Sequence, residues 1–441
     1  MFEANNQPSA IAITGGKPLT GRVSVAGAKN ALSKQLVASL LTTEPCHFTN
    51  VPDITEIHGI LSMLESIGTK VAWTGNDSLT VHTPQLETAL VPEVYSGFNR
   101  IPILMLGPLL HRAKQVQVPM LGGCKIGGRP VDFHLQALET MGATIEVHEG
   151  GFTASAKQLT GTVVRLPYPS VGATENVILS ATIAKGTTVI ENAAVEPEII
   201  DTIKFLVKMG ASILVDVDRR IIIRGVKQLH SATHDTIGDR IEAASYAVAA
   251  AATNGRVSVD GITIEHMLSF LHHFRQMGGD FTAHPGGMTF FRKAEKLTPI
   301  QIETDVHPGF MTDWQQPMVV ALTQAEGTSI VHETVYENRF GYTEVLAEMG
   351  ANISLVSNCL GYKPCRFRDR DHLHSAIING RTPLVAGNIE IPDLRAGFAY
   401  VIAALLAEGK TIVSGYKYLA RGYANVPEKL GALGVEATLI Y

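Results

Sequence analysis

The chain repeats one supersecondary unit six times, and this repetition constrains the fold more than any other feature. Each copy reads as a helix, a short turn with glycine, a β-branched strand, a second helix closed by glycine, and another strand. The order of elements holds in all six copies, which argues against chance resemblance. Glycine just past a helix is typical of a left-handed cap, so we predict six such caps. These glycines, at intervals of 68 to 84 residues, are Gly68, Gly142, Gly210, Gly278, Gly350 and Gly434.

Most copies also contain a helix that is apolar on nearly all of its faces, for example TENVILSATIA, DRIEAASYAVAAAA and DLRAGFAYVIAALLAEG. Helices of this composition are typical of a buried position. A length of 441 residues exceeds one ordinary core, and six units divide naturally into two domains of three. We therefore predict an α/β (α+β) fold in which each domain surrounds its own buried helices with sheets.

Composition excludes several classes of protein. A hydrophobic content of 45% with 17% charged residues excludes disorder, and glycine and proline spread throughout exclude a coiled coil. The net charge of −5 argues against general nucleic-acid binding, which usually needs a basic stripe. No apolar run reaches the roughly 20 residues of a membrane span, and the first residues do not resemble a signal peptide.

The cysteines are Cys46, Cys124, Cys359 and Cys365. They are too few for a disulfide scaffold, and their spacings match no zinc pattern. We therefore expect a reduced, cytoplasmic protein with no metal site.

Two stretches combine glycine with cationic side chains. In VAGAKNA, Lys29 and Asn30 open a helix after a strand, where a lysine suits a phosphate or carboxylate. A solvated lysine at a helix end is the alternative. In LGGCKIGGRPVDFH, Cys124 lies at the middle of a glycine-rich loop, close in sequence to Lys125 and Arg129. Such a loop is typical of a lid over a site, and a surface loop with an incidental cysteine is the alternative.

Five arginines lie at boundaries of the repeated elements, where they are poorly placed for packing. Arginine binds phosphate and carboxylate through two parallel hydrogen bonds, so the set indicates a shared anionic site. Each one taken alone also fits a structural ion pair. The set is Arg100, Arg129, Arg339, Arg395 and Arg421.

Two further stretches place polar groups at helix starts. In HPGFMTDWQQP, Asp313 fits either a general base or a helix cap. In YPSVGATEN, the amides after Ser170 fit a phosphate site or an ordinary serine-capped helix. The sequence contains no Walker loop, dinucleotide fingerprint or zinc-protease motif.

Taken together, AGAKNA, GGCKIGGRPVDFH, SVGATEN, ENAAVEPEIID, HPGFMTD, ENRF, DLRAG and ARGY resemble the motifs of the enolpyruvyl transferases. They occur in family order over nearly the whole chain, and the loop cysteine resembles the branch that acts on UDP-N-acetylglucosamine. The resemblance implies two inside-out α/β barrel-like domains, each of three repeated units. We place these domains at residues 29–237 and at residues 1–28 plus 238–441, with the active site in the cleft between them.

The resemblance also implies a reaction. The enolpyruvyl group of phosphoenolpyruvate is transferred to the 3′-hydroxyl of UDP-N-acetylglucosamine, phosphate leaves, and neither a metal nor a cofactor is required. This is the first committed step of peptidoglycan synthesis. The proposed route is addition followed by elimination through a tetrahedral intermediate. The partners are thus two small molecules rather than nucleic acid or membrane, and the oligomeric state is open.

The resemblance also implies the site residues, each from its position in a matching motif. Cys124 would act as proton donor or in product release and would be the residue alkylated by fosfomycin, while Asp313 would deprotonate the sugar hydroxyl. The catalytic set implied is Cys124, Asp313, Lys29 and Arg395. Phosphoenolpyruvate would contact Lys29, Asn30, Arg129 and Arg421. The UDP-sugar would contact Arg100, Arg129, Pro130, Val131, Asp132, Phe133, Ser170, Val171, Gly172, Asp313 and Val335.

Several residues on the acceptor side depart from the family pattern. Met311 replaces a common proline, Tyr168 replaces a lysine found in many members, Trp314–Pro317 replace the usual run beside the base, and Ala420 replaces an acidic residue before Arg421. An alternative is therefore the same chemistry on another uridine nucleotide, such as UMP. A non-catalytic repeat-built clamp is a further alternative, but a clamp needs basic inner helices, and here those helices are apolar.

Overall fold

The computed structural model describes residues 8–122, 131–363, 365–391 and 397–441. Within them the chain divides into two compact units. Unit 1 contains residues 27–122 and 131–237, and unit 2 contains residues 8–26 together with the described residues from 238 to 441. No helix in this described part combines the length and apolar character needed to cross a membrane.

The helices follow the predicted pattern of two per repeat, with one extra short helix near the C-terminus. They are α1 (Lys29–Ala38), α2 (Thr55–Glu65), α3 (Pro102–Arg112), α4 (Asp132–Thr140), α5 (Val171–Ala181), α6 (Pro197–Lys208), α7 (Arg240–Ala252), α8 (Leu268–Gln276), α9 (Gln315–Leu322), α10 (Thr343–Glu348), α11 (Gly397–Leu406), α12 (Tyr416–Ala420) and α13 (Val426–Ala432).

The strands are short, and most are followed by a turn or a helix. They are β1 (Ala10–Gly15), β2 (Thr20–Ser24), β3 (Cys46–Thr49), β4 (Lys70–Gly75), β5 (Ser78–His82), β6 (Gln115–Pro119), β7 (Thr144–His148), β8 (Gly151–Ser155), β9 (Val163–Arg165), β10 (Thr187–Glu191), β11 (Ser212–Asp216), β12 (Arg220–Arg224), β13 (Thr233–Asp235), β14 (Arg256–Asp260), β15 (Gly279–His284), β16 (Gly287–Arg292), β17 (Gln301–Glu303), β18 (Gly327–His332), β19 (Ile353–Val356), β20 (Ser375–Gly380), β21 (Asn388–Glu390), β22 (Gly409–Ser414) and β23 (Ala437–Ile440).

The described residues form six sheets on one plan. In five of them an edge strand runs parallel to its neighbour, and the remaining pairs are antiparallel. In the sixth, β6-β8-β7, a parallel bridge between Leu90 and Gln117 takes the place of the edge strand. This common order confirms the predicted repeats. The five four-stranded orders are β13-β3-β5-β4, β9-β10-β12-β11, β2-β14-β16-β15, β17-β18-β20-β19 and β21-β22-β1-β23.

The first helix of each repeat forms the interior of its unit, as predicted. In α7 every residue except Ile241 is buried, and in α11 only Leu406 is partly exposed. Helix α3 packs against α1 and α5 in unit 1, and α7 packs against α9 and α11 in unit 2. Each buried Leu, Ile or Phe side chain contributes about 1.5–3 kcal/mol relative to an exposed one, so the burial of such side chains on these helices stabilises both cores.

The second helix of each repeat ends at the predicted glycine. All six have positive φ angles: 105° at Gly68, 98° at Gly142, 103° at Gly210, 105° at Gly278, 104° at Gly350 and 81° at Gly434. A side chain at such a φ clashes with the backbone, so glycine is required where the chain leaves the helix for the next strand.

The connection between β19 and β20 breaks the repeat plan. The equivalent connections β4–β5, β7–β8, β11–β12 and β15–β16 are two or three residues long, whereas residues 357–374 separate β19 from β20. We call residues 357–374 the insertion loop. A connection of this length without regular structure needs its own stabilising contacts.

Candidate active site

Four of the predicted site residues lie outside the described residues: Cys124, Arg129, Pro130 and Arg395. Their roles stay predictions. The remaining predicted residues are placed, and they form separate groups in unit 1 and in unit 2.

Lys29 and Asn30 open α1 in unit 1, and both are partly buried. The preceding Gly27 is required sterically, because a Cβ there would lie 1.8 Å from the carbonyl oxygen of Asn50. Ala28 provides no side-chain cap, and the first turn contains no acidic residue. This helix start therefore keeps a positive electrostatic character that suits an anion.

One turn further along α1, Lys34 links the helix to α5. Its ammonium group donates to the Asn30 carbonyl at 2.8 Å and lies 3.7 Å from the carboxylate of Glu175. Burial raises the pKa of Glu175 to about 7; the nearby Lys34 opposes this shift, and Glu196 and Glu198 add to it. A buried carboxyl group that titrates near neutrality thus lies two residues from Ala173, in the first turns of α5.

The predicted UDP-sugar residues of unit 1 come from two neighbouring helix starts. Val131 precedes α4, Asp132 and Phe133 open it, and Ser170 precedes Val171 and Gly172 at the start of α5. The two starts are close, since a Cβ on Gly172 would lie 3.0 Å from His134 of α4. Ser170 Oγ accepts from the amide of Ala173 at 3.4 Å, so the serine cap that was the alternative is present. Diphosphate binding there stays a prediction.

The two described arginines of the phosphate and sugar sets lie at helix boundaries, as predicted. Arg100 precedes α3 in unit 1, where the side-chain oxygen of Asn99 accepts from the Ile101 amide at 3.0 Å. Arg421 follows α12 in unit 2. Both arginine side chains are partly buried.

In unit 2, Asp313 lies in a short 3₁₀ turn before α9 and is buried. Its Oδ1 accepts a hydrogen bond from Nη2 of the buried Arg339. Arg339 therefore has the structural ion-pair role that was the alternative for each arginine of the set. Its guanidinium stabilises negative charge on Asp313, and its face lies 5.7 Å from the ring centre of Tyr336.

A buried glutamate organises the surroundings of Asp313. Glu333 accepts from the hydroxyl of Thr312 at 2.8 Å, from Gln315 at 3.1 Å and from the backbone amide of Val335 at 2.8 Å. Burial raises the pKa of Glu333, and the opposite charge of Arg339 partly offsets that effect. Glu333 thus links the amide of Val335 to the hydroxyl of Thr312, the residue that precedes Asp313.

Glu175, Lys34 and Glu333 were missed by sequence reasoning. Glu175 belongs to the SVGATEN motif, which was interpreted only through Ser170, Val171 and Gly172. Lys34 and Glu333 lie outside the motifs quoted above. Their significance depends on burial, which only the packed structure reveals.

Six repeats in two units, with a cationic helix start in one and a buried carboxylate–guanidinium pair in the other, agree with the enolpyruvyl transferase class that the motifs resemble. A family model described as EPSP synthase (3-phosphoshikimate 1-carboxyvinyltransferase) matches residues 13–430. The chain belongs to this family, which confirms the resemblance seen in the motifs.

Relatives with one shared name are similar to the chain over nearly their whole length. The chain is 52% identical over 435 residues to a UDP-N-acetylglucosamine 1-carboxyvinyltransferase of Protochlamydia amoebophila, covering 97% of this chain and 94% of that protein. It is 47% identical over 422 residues to the protein of that name from Chlamydia pneumoniae, covering 95% and 92%.

Solved structures share the fold. The enolpyruvyl transferase NikO from Streptomyces tendae matches with a TM-score of 0.85 at 22% identity, over 98% of this chain and 99% of that one. EPSP synthase from Acinetobacter baumannii matches with a TM-score of 0.74 at 18% identity, over 98% and 100%. At these identities the likeness concerns the fold alone, and it confirms the predicted fold class.

Proposed function

We propose that the protein transfers the enolpyruvyl group of phosphoenolpyruvate to the 3′-hydroxyl of UDP-N-acetylglucosamine and releases phosphate. The observation that carries this proposal is the 46–52% identity to several proteins of that name over at least 92% of their length. Transfer to another uridine nucleotide, the alternative acceptor, has no such support, and neither has the clamp.

The proposed reaction has two steps, addition and then elimination. Asp313 takes the proton of the sugar hydroxyl while an acid, the role that the motif gives to Cys124, donates a proton to the methylene carbon of phosphoenolpyruvate, and the sugar oxygen bonds to the neighbouring carbon. The tetrahedral intermediate then returns a proton from its methyl group to the conjugate base of that acid and expels phosphate, which restores the double bond. Arg339 supports this role, because it stabilises the charged carboxylate of Asp313 before the proton arrives.

The anionic donor is assigned to cationic groups. The uncapped start of α1 supports this role for Lys29 and Asn30. Arg421, at the end of α12, is proposed to bind the same substrate. Arg129 and Arg395 complete the phosphoenolpyruvate set by motif. Fixed cations offset the concentrated negative charge of the donor more strongly in a partly buried site than in water.

The residues proposed to contact the UDP-sugar are those of the family motifs, and the neighbouring starts of α4 and α5 support this proposal. Cys124 keeps its predicted role as the lid cysteine and fosfomycin target. The proposal also keeps the domain bounds 29–237 and 1–28 plus 238–441. A cytoplasmic location is part of it too, in line with Cys46, Cys359 and Cys365, none of which forms a disulfide.

Phosphate release tests the proposal. The purified chain is incubated with phosphoenolpyruvate and UDP-N-acetylglucosamine together, and with each alone as controls. We expect phosphate only with both substrates, and a nucleotide product heavier by one enolpyruvyl group. No release at saturating substrates contradicts the proposal.

A further inference from the structure

A cluster of two cysteines and two histidines lies in unit 2, where β18 meets the insertion loop. His332 is the last residue of β18, Cys359 and Cys365 belong to the insertion loop, and His374 ends it. One nitrogen or sulfur atom from each of the four lies within 4.8 Å of all the others. None of these residues has a role in the proposed reaction, so the cluster requires a separate explanation.

The two imidazole rings are held with one nitrogen turned away from the cluster. Nδ1 of His332 is hydrogen-bonded to Ser375 Oγ at 2.8 Å, and Nδ1 of His374 to the carbonyl oxygen of His372 at 2.6 Å. Histidines that bind metals usually have their second nitrogen fixed in this manner, because the outer hydrogen bond sets the tautomer and the ring orientation. Both Nε2 atoms are therefore the ones presented to the cluster.

His332 supplies an independent sign of a missing ligand. The side chain is fully buried, and its Nε2 atom has no hydrogen-bond partner among the described residues. A buried polar atom without a partner is costly and rare in a folded protein. The Nε2 atom of His374, also buried, lies 3.3 Å from Cys359 Sγ. A cation at the centre of the four atoms would satisfy both imidazoles at once.

The donor set matches one metal best. Two thiolates and two imidazoles with no open position are typical of structural, tetrahedral zinc. With zinc–sulfur bonds of about 2.3 Å and zinc–nitrogen bonds of about 2.0 Å, ligand atoms lie roughly 3.3–3.8 Å apart. The observed 3.3 Å between Cys359 and His374 falls in this range, and the 4.8 Å limit for the other pairs requires only a small contraction.

We propose that His332, Cys359, Cys365 and His374 bind one structural zinc ion that fastens the insertion loop to the end of β18. Binding releases the two thiol protons, and the two thiolates neutralise the charge of the ion. The proposal does not depend on the proposed function, because metal content is measured without substrate.

The packing of the loop agrees with such a fastening. Gly361 lies so close to β17 and β18 that a Cβ there would be 2.4 Å from Cδ2 of His332 and from a Glu303 carboxylate oxygen. Phe367 is fully buried with its ring centre 5.7 Å from that of His374, and Arg366 donates to the carbonyl oxygen of Val335. The zinc would thus hold in place the loop that contacts Val335.

Metal analysis of the full chain tests the proposal. The protein is expressed with zinc in the medium, purified without chelators, and its metal content is measured by mass spectrometry. We expect about one zinc ion per chain, lost in Cys359→Ser and in Cys365→Ser. Cys46→Ala is the matched control, because Cys46 lies in β3 of unit 1, and it should keep the metal. His372→Asn should keep it too, since only the backbone of His372 contacts the cluster histidines by hydrogen bonding.

Cobalt supplies a readout that does not require the variants to fold. Cobalt(II) added to metal-stripped wild-type protein should give the intense visible bands of a tetrahedral site and the near-ultraviolet charge-transfer bands of cobalt thiolates. Absence of these bands, or wild-type protein with well under one zinc per chain after reconstitution, overturns the proposal. So does a Cys359–Cys365 disulfide in protein purified under reducing conditions, or undiminished zinc in both serine variants.

Discussion

Replacing Glu175 by glutamine should make the protein more stable at alkaline pH. Glu175 exposes 1% of its surface on α5, and its carboxylate oxygens form no hydrogen bond among the described residues. Burial is the main cause that raises its pKa, and the partly exposed Lys34 at 3.7 Å does not compensate. The protonated form therefore fits the core better than the charged form does.

The size of the expected stability change follows from the shift in the pKa of Glu175. Raising the pKa of Glu175 from its usual 4.5 to about 7 corresponds to about 3 kcal/mol of folding free energy. For a raised carboxyl pKa, this stability is fully present below pH 4.5 and is lost as the pH rises to about 7. Glutamine cannot ionise, so Glu175→Gln should avoid the loss while it keeps the shape of the side chain.

Calorimetry at a series of pH values measures this effect. A unit of this size changes its Tm by about 2–4 °C per kcal/mol, so Glu175→Gln should exceed wild type by about 6–12 °C near pH 8. The difference should shrink to a few degrees near pH 5, by the linkage of proton binding to folding.

Hydrogen exchange of peptides from α5 assigns the transition to unit 1. Glu139→Gln, at an exposed position of α4, is the matched control and should follow wild type. A constant difference, or none, between pH 5 and 8 refutes the reasoning, because linkage requires the difference to grow with pH.

Three other substitutions test the base and the helix caps. Asp313→Asn should lower kcat in the phosphate-release assay by about 10²–10⁴-fold, because the amide cannot take the sugar proton. A kcat within tenfold of wild type, with an unchanged circular dichroism spectrum, would remove Asp313 from that role. Gly350→Ala, at a φ of 104°, should lower the free energy of unfolding of unit 2 by about 1–2 kcal/mol. Gly431→Ala, inside α13 with open space around it, should raise it by about 0.5–1 kcal/mol, and equal effects of the two in urea titrations would contradict the cap assignment.

The repeated architecture could be predicted from the sequence because each of its signals is local. Gly142 and Gly210 mark helix ends by their residue type, and the alanine-rich run of α7 is apolar on every face. In the structure the strand order recurs from sheet to sheet, as expected for repeated units. The motifs resemble a family with the same plan of repeated units, so the repeats and the motifs led to the same fold.

The pairings within the site could not be predicted in this manner. Arg339 lies far from Asp313 in the sequence, and nothing in ENRF indicates that its guanidinium turns inward to a carboxylate. The zinc ligands illustrate the same limit: His332 comes from a strand, and Cys359 and Cys365 have an uncommon spacing, so no pattern of consecutive ligands exists to be found. Contacts of this kind depend on the long-range packing that brings β18 and the insertion loop together.

The acceptor preference tests the central claim most directly. Specificity constants are measured for UDP-N-acetylglucosamine, UMP and other uridine nucleotides at saturating phosphoenolpyruvate, with phosphate release as the readout. The account predicts the highest specificity constant for UDP-N-acetylglucosamine, with a product that has gained one enolpyruvyl group. A higher specificity constant for UMP, or for any other acceptor, would contradict it.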